Sequence, residues 1–362
     1  AQRIGEPYGT LLLTLAVIAA AGLATPGWRE RFFPGPGPAV LLAPMAGASD
    51  PPFRRAAQRF GCAYSVSEIV AGELLARARP DVLRRASGAG SLSPLVVQLA
   101  GRDGDWLRRG AALAQEAGAD VLDINMGCPA KKVTSGACGA ALMRDLDHAQ
   151  RLIEAILSTA SVPVTLKMRL GWDEHSLNAA ELAQRAQAAG ISMLVVHGRT
   201  RRQFYQGAAN WRAIAEVVDA VRIPVIANGD ITDSASARAA LLQSGACGVM
   251  IGRAAMGKPW LVGALATALR DGGEMIPPPA EAQLEALMAL HRDCLEFYGV
   301  RLGLRVVRKH LAGGLDSACL GLDAGRVQAA RSRICTLEDP AEIMAQLRDL
   351  AALPAKPAAL AA

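Results

Sequence analysis

The stretch ADVLDINMGCPAKKV, residues 119–133, joins a run typical of a buried strand to a short polar loop. Residues 119–124 predict the strand, and NMGCPAKKV at 125–133 then places an amide, a thiol and two ammonium groups together. Loops that leave the ends of strands commonly carry catalytic groups. Cys128 stands between a glycine and a proline, which set backbone conformation rather than fill a core. The pattern favours a functional loop over the more usual small buried cysteine.

Outward from this stretch, a short apolar run followed by a helical stretch recurs from residue 39 onward. The runs cover residues 39–43, 63–67, 95–99, 121–124, 164–168, 193–197, 225–228 and 248–251. Strands alternating with helices predict a parallel sheet, and eight such units match an α/β fold of the (β/α)8 TIM-barrel type. A doubly wound open sheet is the alternative, but no GxGxxG motif opens the first helix.

The chain divides into four predicted parts. Residues 1–38 form an N-terminal extension ending in a Pro/Gly linker, and residues 39–275 form the barrel. After three prolines at 277–279 the β-type runs stop, which predicts a small all-helical domain over residues 281–352. Its helices are expected at 281–298, 302–312, 324–336 and 340–350. Residues 353–362 are expected to form a disordered tail.

Composition narrows the class of protein without choosing a function. The 362 residues carry a formal charge of +6, which is compatible with nucleic acid, phosphate or an anionic membrane surface. Only 4% are aromatic, which disfavours a binding platform built from many rings. The seven cysteines show no zinc-ligand spacing, so we expect no metal, free thiols and a cytoplasmic location. The apolar run 10–24 is too short to predict a membrane span, and no stable membrane association is expected.

Polar groups follow the predicted strands where a TIM barrel carries its active site. They include Gln98, Asn125, Lys167, Arg169 and His197, and the seventh and eighth strands end in Gly-bearing turns suited to phosphate. Taken one at a time, each is explained as a structural polar residue whose hydrogen bonds are satisfied within the fold. Jointly, so many buried polar groups indicate a site for a polar ligand, since unpaired burial is unfavourable.

At this point the chain resembles a known family. The motifs LAPMAGASD (42–50), NMGCPAKKV (125–133), LKMRLGW (166–172), VHGRTR (196–201), ANGDI (227–231) and GVMIGR (248–253) are similar to those of tRNA-dihydrouridine synthases, most of all the bacterial B-type branch. The resemblance covers roughly residues 39–312. It implies an FMN-binding barrel followed by a helical tRNA-binding domain.

The resemblance also implies roles for individual residues. Cys128 is expected to be the catalytic proton donor, with Asn125 and Arg169 near the target base. Lys131, Lys132, Arg199 and Arg201 are expected to ring the mouth of the site and hold RNA phosphates. The residues expected to contact FMN are Pro44, Met45, Ala46, Gln98, Lys167, His197, Asn228, Gly229, Asp230, Gly252 and Arg253.

The expected reaction is FMN-dependent reduction of tRNA uridines to 5,6-dihydrouridine, with hydride delivered to C6 and a proton from Cys128 to C5. NADPH is the family's usual electron donor, and we expect a monomer. One alternative is a flavin barrel dehydrogenase acting on a free pyrimidine such as dihydroorotate. Another is a non-catalytic RNA-binding regulator. In two respects the sequence departs from the family pattern. Residues 1–37 have no recognised counterpart, and LAGGL at 311–315 replaces the aromatic residues that often follow RKH at 308–310.

Overall fold

The computed structural model of the chain describes residue 33, residues 36–316 and residues 320–353. Most of the expected N-terminal extension and nearly all of the expected tail therefore lie outside the described residues. Within the described ranges, no helix combines the length and the apolar character needed to cross a bilayer. The same ranges contain no group of three His, Cys, Asp or Glu side chains that could hold a metal ion.

Eight parallel strands form one curved sheet in the order β1-β8-β7-β6-β5-β4-β3-β2. Hydrogen bonds through residues 64–67 close the barrel, since Leu42 N donates to Tyr64 O and Ser67 N donates to Val96 O. The strands are β1 (Ala39–Leu42), β2 (Val70–Ala71), β3 (Val96–Ala100), β4 (Val121–Met126), β5 (Val164–Arg169), β6 (Met193–His197), β7 (Val225–Asn228) and β8 (Gly248–Ile251). The predicted (β/α)8 fold is confirmed.

The second strand differs from its predicted position. Residues 63–67 make only isolated bridges, Leu42 to Ser65 and Val66 to Val96, while the regular pairing lies further on at Val70–Ala71. The Ser67 hydroxyl accepts the hydrogen bond from Gln98 N at 2.9 Å. A side-chain oxygen thus takes the place of a backbone carbonyl, which interrupts the regular ladder.

Helices follow the strands around the outside of the barrel. They are α1 (Pro51–Arg59), α2 (Gly72–Ala76), α3 (Pro80–Ala86), α4 (Gly104–Glu116), α5 (Lys131–Thr134), α6 (Leu146–Leu157), α7 (Ala179–Ala189), α8 (Arg212–Ala220), α9 (Ser234–Ser244) and α10 (Leu261–Asp271). A 3-10 helix, Gly139–Arg144, lies between α5 and α6. The short helix α5 occupies the end of the polar loop that the sequence singles out.

Among the described residues, the helical region contains four helices of more than one turn, α11 (Ala280–Tyr298), α12 (Val300–Gly314), α13 (Ala324–Ile334) and α14 (Pro340–Ala351). They do not bury their apolar faces among themselves alone. One hydrophobic cluster runs from β1, β8 and α1 through α11 and α12, and in it Phe53 stacks on His310 with ring centres 4.4 Å apart. The helical region is therefore packed directly onto the outside of the barrel.

Close backbone packing in this interface explains why LAGGL contains glycines. A β-carbon on Gly257, where φ is +76°, would lie 2.2 Å from His310 O and 2.3 Å from Gly314 N. A β-carbon on Gly314 would lie 2.4 Å from Gly257 O. The loop after β8 and the end of α12 thus meet backbone to backbone, which leaves no room for larger side chains.

Candidate active site

A cavity of about 660 Å³ opens at the carboxyl ends of the strands. Most of the residues predicted for the site line it together, although they come from six different strand ends. They are Pro44, Met45, Ala46, Asn125, Cys128, Lys167, Arg169, His197, Asn228, Gly229, Asp230, Gly252 and Arg253. The prediction that these positions form one polar site agrees with this geometry, while their individual roles stay predictions.

A chain of amide hydrogen bonds fixes the backbone at Cys128. Cys128 N donates to Asn125 Oδ1 at 3.1 Å, and Asn125 Nδ2 donates to Gln98 Oε1 at 2.8 Å. Gln98 Nε2 in turn donates to Asp123 Oδ2 at 2.6 Å. Gln98 is fully buried and is not among the residues that line the cavity, and its expected contact with FMN stays a prediction. In this structure it holds Asn125, which holds the cysteine.

Asp123 supports the site through Gln98, and sequence reasoning missed it. Burial raises the pKa of its carboxyl, while hydrogen bonds from Thr165 and Gln98 and the nearby Lys167 charge oppose that rise. Thr165 Oγ1 donates to Asp123 Oδ1 at 2.5 Å. The sequence does carry a signal for this position: Asp123 places a carboxylate inside the apolar run VLDI, and an isolated charge inside a buried strand needs partners.

Lys167 projects from β5 into the floor of the cavity. Its Nζ donates to Asn228 Oδ1 at 2.9 Å, and Asn228 Nδ2 donates to Met250 O at 2.8 Å. Burial and the nearby Arg169 charge lower the pKa of the Lys167 ammonium to about 8. The ammonium is therefore charged at neutral pH but close to losing its proton under mildly alkaline conditions.

His197, Arg199 and Asp230 form a charged cluster at the ends of β6 and β7. Arg199 makes an ion pair with Asp230 and lies 3.3 Å from His197 Nε2, while Arg253 reaches Asp230 Oδ1 at 3.3 Å. Burial, followed by the charges of Lys167 and several arginines, lowers the pKa of His197 well below its usual value. His197 is thus a neutral ring that can donate or accept one hydrogen bond.

Arg169 supports the loop that carries Cys128. Its Nε donates to Gly127 O at 2.9 Å, and its Nη1 donates to Thr200 O at 2.8 Å and Phe204 O at 2.9 Å. Burial lowers the pKa of this guanidinium to about 10, so it keeps its charge at neutral pH. One arginine therefore ties the β4 and β6 loops together beside the cavity.

The four cations expected to ring the mouth are not equivalent. Lys131 and Lys132 are exposed on α5, as that expectation requires. Arg199 is only 1% exposed and donates to Asp230 and to two backbone carbonyls. Arg201 is half-buried, and its Nη2 donates to Thr134 Oγ1 at 3.1 Å. Arg199 is therefore engaged within the protein and is not part of an exposed ring, whereas Arg201 is partly exposed with one donor bound to Thr134.

Tyr205 and a cluster behind the β1 loop were also missed. Tyr205 lines the cavity, is 51% exposed, and its ring centre lies 4.4 Å from the Arg253 guanidinium carbon. Behind the loop, Gly47 N donates to the Glu68 carboxylate, and Tyr298 OH donates to Asp50 Oδ2 at 3.1 Å. No spacing in the sequence connects these positions, because Tyr298 arrives from the helical region.

Comparison with known proteins identifies the family. The family model described as dihydrouridine synthase (Dus) matches residues 41–344. The chain is 52% identical over 312 residues to a probable tRNA-dihydrouridine synthase of Rhodobacter capsulatus, covering 86% of this chain and 94% of that protein. It is 42% identical over 311 residues to tRNA-dihydrouridine synthase B of Pseudomonas putida, covering 85% of this chain and 90% of that protein.

A likeness to a solved structure bears on the fold alone. Histamine dehydrogenase from Rhizobium sp. 4-9 matches with a TM-score of 0.50 and 12% identity, covering 73% of this chain and 51% of that one. The sequence comparisons, by contrast, cover 94% and 90% of the two relatives. On these grounds the chain belongs to the dihydrouridine synthase family.

Proposed function

We propose that this protein reduces specific uridines of tRNA to 5,6-dihydrouridine. The observation that carries the proposal is a cavity at the strand ends where the Cys128 backbone is fixed by Asn125 and where Lys167, His197 and Arg253 also converge. Relatives of 42–52% identity that bear the name tRNA-dihydrouridine synthase support the same reaction and substrate.

The cavity fits FMN, the cofactor that the family implies. Lys167 offers an ammonium and His197 a neutral ring nitrogen, which suit the carbonyl and nitrogen edge of a flavin ring. Gly252 has open space beside its backbone, and Arg253 extends a guanidinium that is 57% exposed, which together suit a phosphate. The remaining residues proposed to hold FMN are Pro44, Met45, Ala46, Asn228, Gly229 and Asp230.

When bound in its reduced form, FMN supplies the hydride that C6 of uracil accepts. Cys128 then donates the thiol proton to C5, and solvent returns a proton to the thiolate. Asn125 holds the Cys128 backbone in place, while Arg169 fixes the same loop through Gly127 O. Positioning of the thiol is thus the main contribution of these neighbours.

Substrate access requires that the uridine leave its stack in the folded RNA, because a buried base cannot enter the cavity otherwise. We propose that Lys131 and Lys132 contact phosphates beside the mouth and that residues 281–352 form the tRNA-binding domain. We also propose that NADPH is the electron donor and that the enzyme works as a monomer in the cytoplasm.

The decisive variant is Cys128→Ala. We expect the purified protein to bind FMN as the wild type does and to lose most dihydrouridine formation, measured by mass spectrometry of tRNA. Cys138→Ala is the matched control, because Cys138 lies in the same loop but does not line the cavity. Normal turnover by Cys128→Ala would refute the role of the thiol as the acid.

The alternatives make different predictions in the same preparation. A dehydrogenase of free pyrimidines would reduce uracil or oxidise dihydroorotate without RNA. A non-catalytic regulator would bind tRNA tightly yet leave its uridines unchanged when supplied with flavin and NADPH. Mapping dihydrouridine in tRNA from cells with and without the protein would identify the modified position.

A further inference from the structure

The segment that carries Cys128 is attached to the rest of the site at several points. We call residues 127–139 the cysteine segment. Gly127 O accepts a hydrogen bond from Arg169 near its start, and Thr134 Oγ1 accepts one from Arg201 Nη2 at 3.1 Å in its second half. Arg201 itself belongs to the loop after β6, so this bond joins two loops that are far apart in sequence.

The Arg201 side chain is held by aromatic rings. Its guanidinium carbon lies 4.8 Å from the centre of the Trp172 ring and 4.6 Å from that of Phe204. Its backbone N donates to Gly171 O at 3.0 Å, which fixes the base of the side chain to the loop after β5. Cation–π contacts with two rings stabilise the orientation in which Nη2 reaches Thr134.

Two more observations concern the same rings. Arg144, which ends the 3-10 helix just beyond the cysteine segment, places its guanidinium carbon 4.9 Å from the Trp172 ring centre. Phe204 has a φ of +52°, a conformation that bulky residues rarely adopt. Trp172 therefore contacts Arg144, just beyond the cysteine segment, and Arg201, from the loop after β6, and the backbone is strained at Phe204.

A phosphate-binding arginine needs donors that face solvent, and the neighbouring Arg202 has the exposure that this requires. The Arg202 side chain is 69% exposed and its Nε lies 3.7 Å from Asp173 Oδ2. Arg201 directs a donor to a threonine hydroxyl within the protein instead. We propose that Arg201 is a positioning residue, a latch that holds the cysteine segment against the loops after β5 and β6 so that Cys128 faces the cavity.

The inference rests on the proposed function only in taking Cys128 as the reacting thiol, and its test needs no turnover. Free protein is treated with iodoacetamide, and the modification rate of Cys128 is followed by peptide mass mapping, with Cys335 as internal reference. We expect Arg201→Met to raise the Cys128 rate about tenfold, because it removes one charged hydrogen bond and two ring contacts. Arg202→Met removes the same charge and should leave the rate unchanged.

Thr134→Val removes only the hydroxyl and should raise the rate about threefold. The double variant with Arg201→Met should label no faster than Arg201→Met alone, since both changes break one interaction. If Arg201→Met also exposes the buried Cys62 and Cys294, it has unfolded, and Thr134→Val then decides the matter.

With tRNA and the complete reaction, a latch predicts that kcat falls in Arg201→Met while KM for tRNA stays near the wild-type value. A Cys128 labelling rate equal to that of the wild type would overturn the proposal, and a raised KM with unchanged labelling would return Arg201 to the phosphate-binding residues. Inactive wild-type enzyme would instead count against the proposed function, and the labelling rates would still test the latch.

Discussion

Replacing Gly257 by alanine should destabilise the protein in two ways, through an unfavourable backbone conformation and through a clash between the barrel and the helical region. The residue has a φ of +76°, and an alanine in this region loses about 1 kcal/mol relative to glycine. The added β-carbon would also lie 2.2 Å from His310 O. Normal contact requires the two backbones to separate by more than about 1 Å, and such overpacking costs about 1–3 kcal/mol more.

Gly272 provides the matched control for this change. Its φ is +71°, yet a β-carbon there would meet nothing within 4 Å. We expect Gly272→Ala to lower Tm by about 1 °C and Gly257→Ala by about 3–5 °C, measured by calorimetry on proteins prepared side by side. Affinity for tRNA should fall only in Gly257→Ala, because α12 must shift. Equal losses of Tm in the two variants would refute the steric argument.

Three other outcomes follow from the site and its surroundings. Lys167, with a pKa of about 8, should lose its charge as pH rises, so the affinity for FMN should weaken about tenfold between pH 7 and 9. Flavin fluorescence measures this affinity, and in Lys167→Met it should not change with pH over the same range. Gly139→Ala should abolish most activity, since its β-carbon would lie 2.9 Å from Cys128 O. Gly136→Ala should remain active, because its β-carbon would lie 3.4 Å from the nearest atom. Equal activity of the two variants would contradict this steric argument. Burial raises the pKa of Asp50 to about 6, so the folded state binds the proton more tightly than the unfolded state does, and the free energy of unfolding falls as pH rises from about 4 to 6. Asp50→Asn should remove roughly 2–3 kcal/mol of that fall, as measured by urea titrations at several pH values. Parallel pH profiles of the variant and the wild type would count against this assignment.

The sequence predicted the elements whose signals are local. The strands at 225–228 and 248–251 were placed at their observed bounds. Each of these signals depends on a few adjacent residues. Barrel geometry then brought the polar strand ends into one cavity without further information.

The sequence could not predict where long side chains end. Arg199 and Arg201 were expected to be exposed cations, but Asp230 binds Arg199 in the interior and Thr134 accepts a hydrogen bond from the half-buried Arg201. The partners of Gln98 were not predictable either, since Asn125 and Asp123 on the neighbouring strand engage both ends of its amide, while its contact with FMN stays a prediction. These partners are set by packing between loops, for which one sequence offers no spacing rule.

The pairing of β1 with β8 has a consequence for synthesis on the ribosome. Ala39 pairs with Gly248, so the barrel cannot close until about 200 further residues have been added, which takes roughly 10–40 s in bacteria. The outer face of α1 waits longer still, until α11 and α12 have emerged to cover it. During that interval the nascent chain exposes an apolar surface, and we expect it to depend on chaperones more than a barrel sealed by its own helices would.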